Sequence, residues 1–224
     1  PPHESSQMPL TFFLNFFKNH GLFKIKNRPQ WYTVENRSKT YVDKIISQIS
    51  GEHFKNYYIN KIVRHDLGAK IFYGDDNEFF DYDKIVIATH ADQALKIIEN
   101  PTLNEDLILK NFKYRENTAV IHFDEAIMPK NKKAWCSWNS SLSVENVEKT
   151  SVTYWLNRLQ NLKIDKNIFL TINPSLEIPT NKIFKKIKFT HPYYDNDALS
   201  NQKNLYKIQN KKNILFCGSY FGYG

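Results

Sequence analysis

Apolar and polar positions alternate in patterns that divide the chain into short segments. Phe12, Phe13, Phe16 and Phe17 recur at helical spacing within "LTFFLNFFKNHGLF", residues 10 to 23, and His20-Gly21 marks the end of that helix. "RPQWYTV", 28 to 34, is a short extended piece after Pro29. "NRSKTYVDKIISQIS", 36 to 50, predicts a helix capped by Ser38, with Tyr41, Val42, Ile45, Ile46 and Ile49 facing inward. "YYINKIVRHD", "AKIFYG" and "EFFDYDKIVIAT" predict three strands, with turns near Asp66–Gly68 and Gly74–Asn77. Helices are expected over 92–99 and 104–112.

The second half reads mostly as strand. "NTAVIHFD", "KAWCSWNS", "SVTYWLNRL", "NIFLTIN" and "KIFKKIKFTHP" are short and rich in β-branched and aromatic residues. "DALSNQKNLYKIQN", 197 to 210, predicts a helix, and "NILFCGS", 213 to 219, a buried strand running into a glycine. Strands outnumber helices and lie in consecutive runs. The expected class is therefore α+β with a large, mainly antiparallel sheet and flanking helices.

Composition narrows the function classes. A chain of 224 residues, 41% hydrophobic and 15% aromatic, suits a packed core. No apolar run approaches the roughly 20 residues of a membrane span. The first residues, "PPHESSQMPL", lack a basic region followed by an apolar one, so no signal peptide is expected and a cytoplasmic location is. Two distant cysteines, Cys136 and Cys217, make neither a disulfide framework nor a zinc site. The net charge of +8 comes from scattered lysines, densest in "NKIFKKIKF", 181 to 189, which reads as a strand with one solvated lysine face. Nucleic acid is not an expected partner. Only 7 glycines occur, and neither G-x-G-x-x-G nor G-x-x-x-x-G-K-[ST] is among the motifs, so these residues carry no phosphate-cradling loop of their own.

The chemically suggestive stretch is "DYDKIVIATHADQAL", 81 to 95, where a buried run ends in Thr89-His90-Ala91-Asp92. A metal needs three or four ligands, and this strand end offers at most two, so no metal is expected. Thr89 or Asp92 could simply cap the next helix. Trp135, Trp138, Tyr154 and Trp155 form an aromatic set on two predicted strands, which could line an apolar pocket or pack a core.

"INKIVR", "IATHADQAL", "SWN", "TYWLNRLQ" and "FCGSYFGYG", taken in that order, resemble the flavin-containing amine oxidase superfamily, in particular its bacterial branch of NAD/FAD-binding oxidoreductases. The resemblance runs from about Phe12 to Gly224. It implies an internal portion of a two-domain flavoenzyme, with parts of a Rossmann-like FAD-binding domain lacking its first βα unit. It also implies that Ile59, Ala88, Thr89, His90, Gly218 and Ser219 face FAD, and that Trp135, Trp138, Tyr154 and Trp155 serve a substrate pocket. Residues 1–60 would hold substrate-domain helices and the lead into the FAD layer. Residues 60–92 would form a partial FAD-binding segment, 93–210 the substrate-binding domain, and 211–224 the return strand.

Two departures stand out. Asn36-Arg37-Ser38 occupies a place where the superfamily usually has Gly-Gly-Ser. Asn117-Thr118 stands where amine oxidases often hold a lysine at the flavin. The implied activity is hydride transfer from a C–H bond to flavin on an apolar, lipid-like small molecule, with no catalytic residue assigned. The isolated chain is expected to bind FAD weakly or not at all, because a dinucleotide pyrophosphate needs a glycine turn and a helix N-terminus. Rival readings are a truncated, non-catalytic fragment and a basic module for nucleic acid or membrane surfaces.

Overall fold

The computed structural model describes residues 8–74, 78–142 and 150–222. Among these the helices are α1 (Leu10–Asn19), α2 (Ser38–Gln48), α3 (Ala91–Ile97), α4 (Leu103–Leu109), α5 (Leu156–Leu159) and α6 (Asn196–Gln202). The strands are β1 (Ile59–Arg64), β2 (Ala69–Tyr73), β3 (Glu78–Tyr82), β4 (Ile85–Ile87), β5 (Lys113–His122), β6 (Trp138–Leu142), β7 (Thr150–Trp155), β8 (Phe169–Ile172), β9 (Ile183–Tyr193) and β10 (Ile214–Phe216). Two compact units result. One comprises 24–50 and 115–191, the other 8–23, 51–114 and 192–222.

The first unit is built on a five-stranded sheet in the order β6-β7-β8-β5-β9, with β6–β7, β7–β8 and β8–β5 antiparallel. Four segments expected to share one antiparallel sheet do share it. "KAWCSWNS" is not a strand throughout, however. Asn131 caps a short 3-10 turn over Lys132–Ala134 by accepting from the Lys133 N–H at 3.0 Å, and pairing begins only at Trp138. Beneath the sheet, Met128, Trp135 and Phe169 form a small core with Trp155 against it.

The same sheet carries a buried polar chain. The Asp124 N–H donates to His122 Nδ1 at 3.1 Å, so the ring proton sits on Nε2 and reaches Thr171 Oγ1 at 2.8 Å. Thr171 Oγ1 lies 2.9 Å from Thr153 Oγ1, and Lys182 Nζ donates to Asp124 Oδ1 at 2.7 Å. His122 and Thr171 are wholly buried. Each member has a partner, which is what keeps such groups tolerable in a core.

The second unit combines a three-stranded antiparallel sheet, β1-β2-β3, with a two-stranded parallel one, β10-β4. "EFFDYDKIVIAT", expected as one strand, breaks at Asp83-Lys84 into β3 and β4, which belong to different sheets. Its core gathers Ile85, Ile87, Ile214 and Phe216 against Ala91, Ala94, Ile108, Leu109 and Leu205. Each of the isoleucine, leucine and phenylalanine side chains among them contributes about 1.5–3 kcal/mol when fully buried. Arg64 spans from β1 to the helices, donating to Glu105 Oε1 at 2.5 Å and to the Asn100 carbonyl at 2.8 Å. Glu105 is fully buried and completes a capping box with Thr102 at the start of α4.

Further expectations need correction. Ser38 is the first residue of α2 and caps nothing; Arg37 holds the cap position with no side-chain capping bond. The apolar stripe of α2 does not face inward: Tyr41, Val42, Ile45 and Ile49 are between 41% and 54% exposed. Periodicity fixes which residues share a face, and nothing in it supplies a cover. The segment 197–210 is two pieces, α6 capped by Asp195 and a 3-10 turn over Leu205–Ile208. Residues 93–114 and 192–210 cluster with β4 and β10, so the expected boundary of a substrate domain at 93–210 does not follow the compact units. The reason is packing: α3, α4 and the 205–208 turn bury their apolar residues on the parallel strand pair. The Gly74–Asn77 turn lies partly outside the described residues. Among the described residues no helix is long and apolar enough to cross a membrane.

Candidate functional site

Parallel pairing makes β4 and β10 end at the same edge. Ile85, Val86 and Ile87 stand beside Ile214, Leu215 and Phe216, and the Cys217 N–H donates to the Ile87 carbonyl at 3.0 Å. The two following turns, Ala88-Thr89-His90 and Cys217-Gly218-Ser219, therefore meet. A Cβ built on Gly218 would lie 3.5 Å from the Thr89 carbonyl oxygen. Ala88, Thr89, Gly218 and Ser219 are all exposed, and together they form an open ledge above the strand ends.

Gly218 has a local reason to be glycine. Its φ of 151° lies where L side chains are rarely found, and an added Cβ would sit 2.9 Å from Tyr220 Cε1. The expectation of a bare backbone here thus acquires a cause internal to the fold. Thr89 uses its hydroxyl locally, donating to the His90 carbonyl at 3.1 Å. The His90 ring stacks on Tyr114 at 4.2 Å, and the Tyr114 hydroxyl accepts from the Ala91 N–H at 2.8 Å. Tyr194 donates to the Ser219 carbonyl at 3.1 Å.

Aromatic hydroxyls surround the ledge, and burial governs their ionisation. It raises the pKa of Tyr114, where Asp92 also raises it and the Ala91 N–H opposes. It raises that of Tyr194, and it drives Tyr220 far above the ordinary phenol range. All three stay protonated donors at neutral pH. Two buried polar atoms in this neighbourhood lack a partner: the Tyr220 hydroxyl and Asp92 Oδ1. An orphaned donor and an orphaned acceptor suit a ligand with groups of both kinds.

Ile59 stands in a different sheet from β4 and β10. It opens β1, paired with Tyr73 in the three-stranded sheet. The aromatic set also divides. Trp135 is buried, edge-on to Trp155 at 5.3 Å and to Phe169 at 5.7 Å, with Nε1 donating to the Pro129 carbonyl at 2.7 Å. Trp155 donates to Asn167 Oδ1 at 2.9 Å. Trp135 thus belongs to the core, and the partly buried Trp155 packs against it. Trp138 is 53% exposed, paired across strands with the half-buried Tyr154, and 6.4 Å from the exposed Trp31. An open cleft of about 350 Å³ in the same unit is lined by Val120, Ile178, Ile183, Lys186 and the 174–177 turn, and by none of the aromatic set. Among the described residues no cluster of three or more His, Cys, Asp or Glu could hold a metal.

Sequence reasoning weighed Asp92 only as a helix cap and missed Tyr114, Tyr194 and Tyr220 as neighbours of the ledge. Tyr220 alone had a signal, lying within "FCGSYFGYG" two residues after the glycine.

The strained turn at Asn36-Arg37 is informative. Both residues have positive φ, 58° and 70°. Glycine adopts such backbone most readily, and this chain holds it with side chains in place.

No protein-family model matches the sequence, and no curated protein matches it. Solved structures do share its fold. A CLA-producing fatty acid isomerase from P. acnes superposes with a TM-score of 0.55 at 12% identity, over 84% of this chain and 48% of its own. A candidate protoporphyrinogen oxidase from Exiguobacterium sp. 255-15 gives 0.57 at 10%, over 95% and 54%. A putrescine oxidase with redesigned cofactor binding gives 0.54 at 7%, over 83% and 48%. The chain thus shares its mixed α+β fold with parts of these proteins and spans about half of their length.

Proposed function

We propose that these residues are part of an FAD-dependent oxidoreductase, with the β4 and β10 ledge forming one wall of the cofactor site. The observation that carries this is the meeting of Ala88-Thr89 and Gly218-Ser219, about 130 residues apart in sequence, at one open strand-end edge. Ligands of open parallel sheets bind beyond the carboxyl ends of the strands. The likeness of fold to flavin amine oxidases supports the same reading.

In this role Ala88, Gly218 and the backbone at Thr89 allow close approach, and Tyr220 and Asp92 gain the polar partner they lack. Bound flavin would supply the redox chemistry, taking a hydride from a substrate C–H bond. The protein's share is to position the substrate and exclude water. Trp138, Tyr154 and Trp31 offer an exposed aromatic surface for an apolar small molecule. The likeness to a fatty acid isomerase favours a lipid-like substrate over a small amine, as does Asn117-Thr118 in place of a lysine.

The rival of a basic interaction module gains little. The exposed Lys185, Lys186 and Lys188 lie on β9, an edge strand, where lysines serve to block unwanted pairing.

The test is to purify the protein from its complete reading frame and record its visible spectrum before and after adding FAD. Flavin bands that remain after gel filtration support the reading. A folded protein that stays colourless and fails to quench flavin fluorescence refutes it.

A further inference from the structure

The second unit holds a cleft of about 390 Å³ between α1 and α6. Small-molecule sites run from roughly 300 to 1,000 Å³. Phe12 and Leu199 give the cleft an apolar back. The rest of its wall is mostly polar: the hydroxyls of Thr11 and Ser200, the amides of Asn15, Asn196 and Gln202, and the ammonium of Lys203. Gln202 apart, none of these side chains has a hydrogen bond or ion pair among the described residues. Among the described residues no acid lines the cleft, so its one positive charge stands unopposed. That set selects a chemistry. An apolar ligand would cover these groups and leave them without partners. A bare anion would engage Lys203 and leave the amides idle. Neighbouring hydroxyls both donate and accept, which is what an amide's oxygen and NH₂ require together.

Two walls of the cleft also hold the ledge. The Gln202 side chain donates from Nε2 to the Tyr220 carbonyl at 3.1 Å and to the Gly222 carbonyl at 2.8 Å, which leaves its Oε1 for a ligand. The Phe12 ring stacks on Tyr194 at 4.6 Å, and the Tyr194 hydroxyl donates to the Ser219 carbonyl at 3.1 Å. The backbone of 219–222, which follows Gly218, is therefore tied to the cleft at both places. We propose that this cleft is a second binding site, for a small polyhydroxylated anion such as a sugar phosphate or a sugar acid, and that filling it strengthens the ledge's hold on flavin. A ligand that engages Gln202 and packs on Phe12 restrains both supports of the turn, so the ordering that flavin requires is already in place. Linkage makes the effect mutual: flavin strengthens the hold on the sugar by the same factor. The coupling rests on the flavin reading of the ledge; the cleft itself does not.

Isothermal titration of the protein from its complete reading frame tests the site, with glucose 6-phosphate and gluconate as probes and with glucose and inorganic phosphate as their halves. At least one of the two sugar anions should bind, and each half should bind more weakly than that anion. Lys203→Gln should weaken the sugar anion roughly tenfold or more, the effect of one charge-assisted hydrogen bond, and leave glucose unchanged. Asn15→Leu should weaken the sugar anion and glucose alike. Both side chains are exposed, and circular dichroism melts should show both variants folded. Flavin titration by fluorescence quenching then reads the coupling: with saturating sugar anion, flavin should bind roughly fivefold more tightly. Tyr194→Phe keeps the ring on Phe12 and removes the bond to Ser219, so it should reduce that gain without changing sugar binding. Failure of both sugar anions to bind would overturn the inference. So would phosphate binding as tightly as its sugar ester, or full affinity for the sugar anion in Lys203→Gln. Sugar binding that leaves flavin affinity unchanged would overturn the coupling. Sugar binding by a protein that takes no flavin at all would defeat the proposed function and leave the cleft site standing.

Discussion

Replacing Arg37 by glycine and by alanine gives opposite expectations from those usual in proteins. Arg37 has φ 70° and ψ −171°, a region occupied almost only by glycine. Holding a side chain there costs about 1–3 kcal/mol. Glycine elsewhere costs about 0.5–1 kcal/mol relative to alanine, because it loses more freedom on folding. The balance at this position leaves Arg37→Gly more stable than Arg37→Ala by up to about 2.5 kcal/mol. The exposed bond from Arg37 Nε to Gln160 Oε1, 3.1 Å, is lost in both variants and cancels in the comparison. At this size each kcal/mol moves the melting temperature by about 2–4 °C. Trp31, Trp135, Trp138 and Trp155, all four tryptophans, lie in the unit that contains Arg37, so their fluorescence reports its unfolding alone. Thermal or urea melts of the two variants followed in this way decide the matter. An alanine variant as stable as the glycine variant, or more so, would show that a Cβ is no burden at this turn and that its backbone differs from the one described.

Gly218→Ala should lower stability by about 1–3 kcal/mol with no flavin present, from its φ of 151° and the Tyr220 ring beside it, as measured by circular dichroism melts. Unchanged stability with loss of flavin in the full-length protein would assign the glycine to the cofactor alone. Glu105→Ala should cost about 3–5 kcal/mol in urea unfolding, because it leaves Arg64 buried without its partner. Burial lowers the pKa of His122, against the pull of Asp124. The unfolded chain therefore binds the extra proton first, and stability should be level above about pH 6.5 and fall as pH drops below it. In His122→Asn that fall should be smaller; an identical pH profile for the two proteins would remove His122 as its source.

The sequence by itself determined much of the element list. Alternation in "NTAVIHF", "SVTYWLN" and "NIFLTIN" specified strands, because a period of two has one physical realisation. "KIVIAT" and "NILFCGS", as short apolar runs ending in small residues, were legible as a separate buried layer. Sequence also marked Ala88, Thr89 and Gly218 as candidates. What it could not contain was coverage and coincidence. The α2 stripe has helical spacing and no cover. Trp135 and Trp138, three residues apart, part into core and surface because a 3-10 turn intervenes before pairing starts. Tyr114, Tyr194 and Tyr220 reach the ledge from three separate segments, and only the parallel register of β4 with β10 brings its two turns together there. Local spacing is a property of neighbours along the chain, whereas an open strand edge, a buried orphan hydroxyl and a shared strand end are properties of residues that meet only on folding.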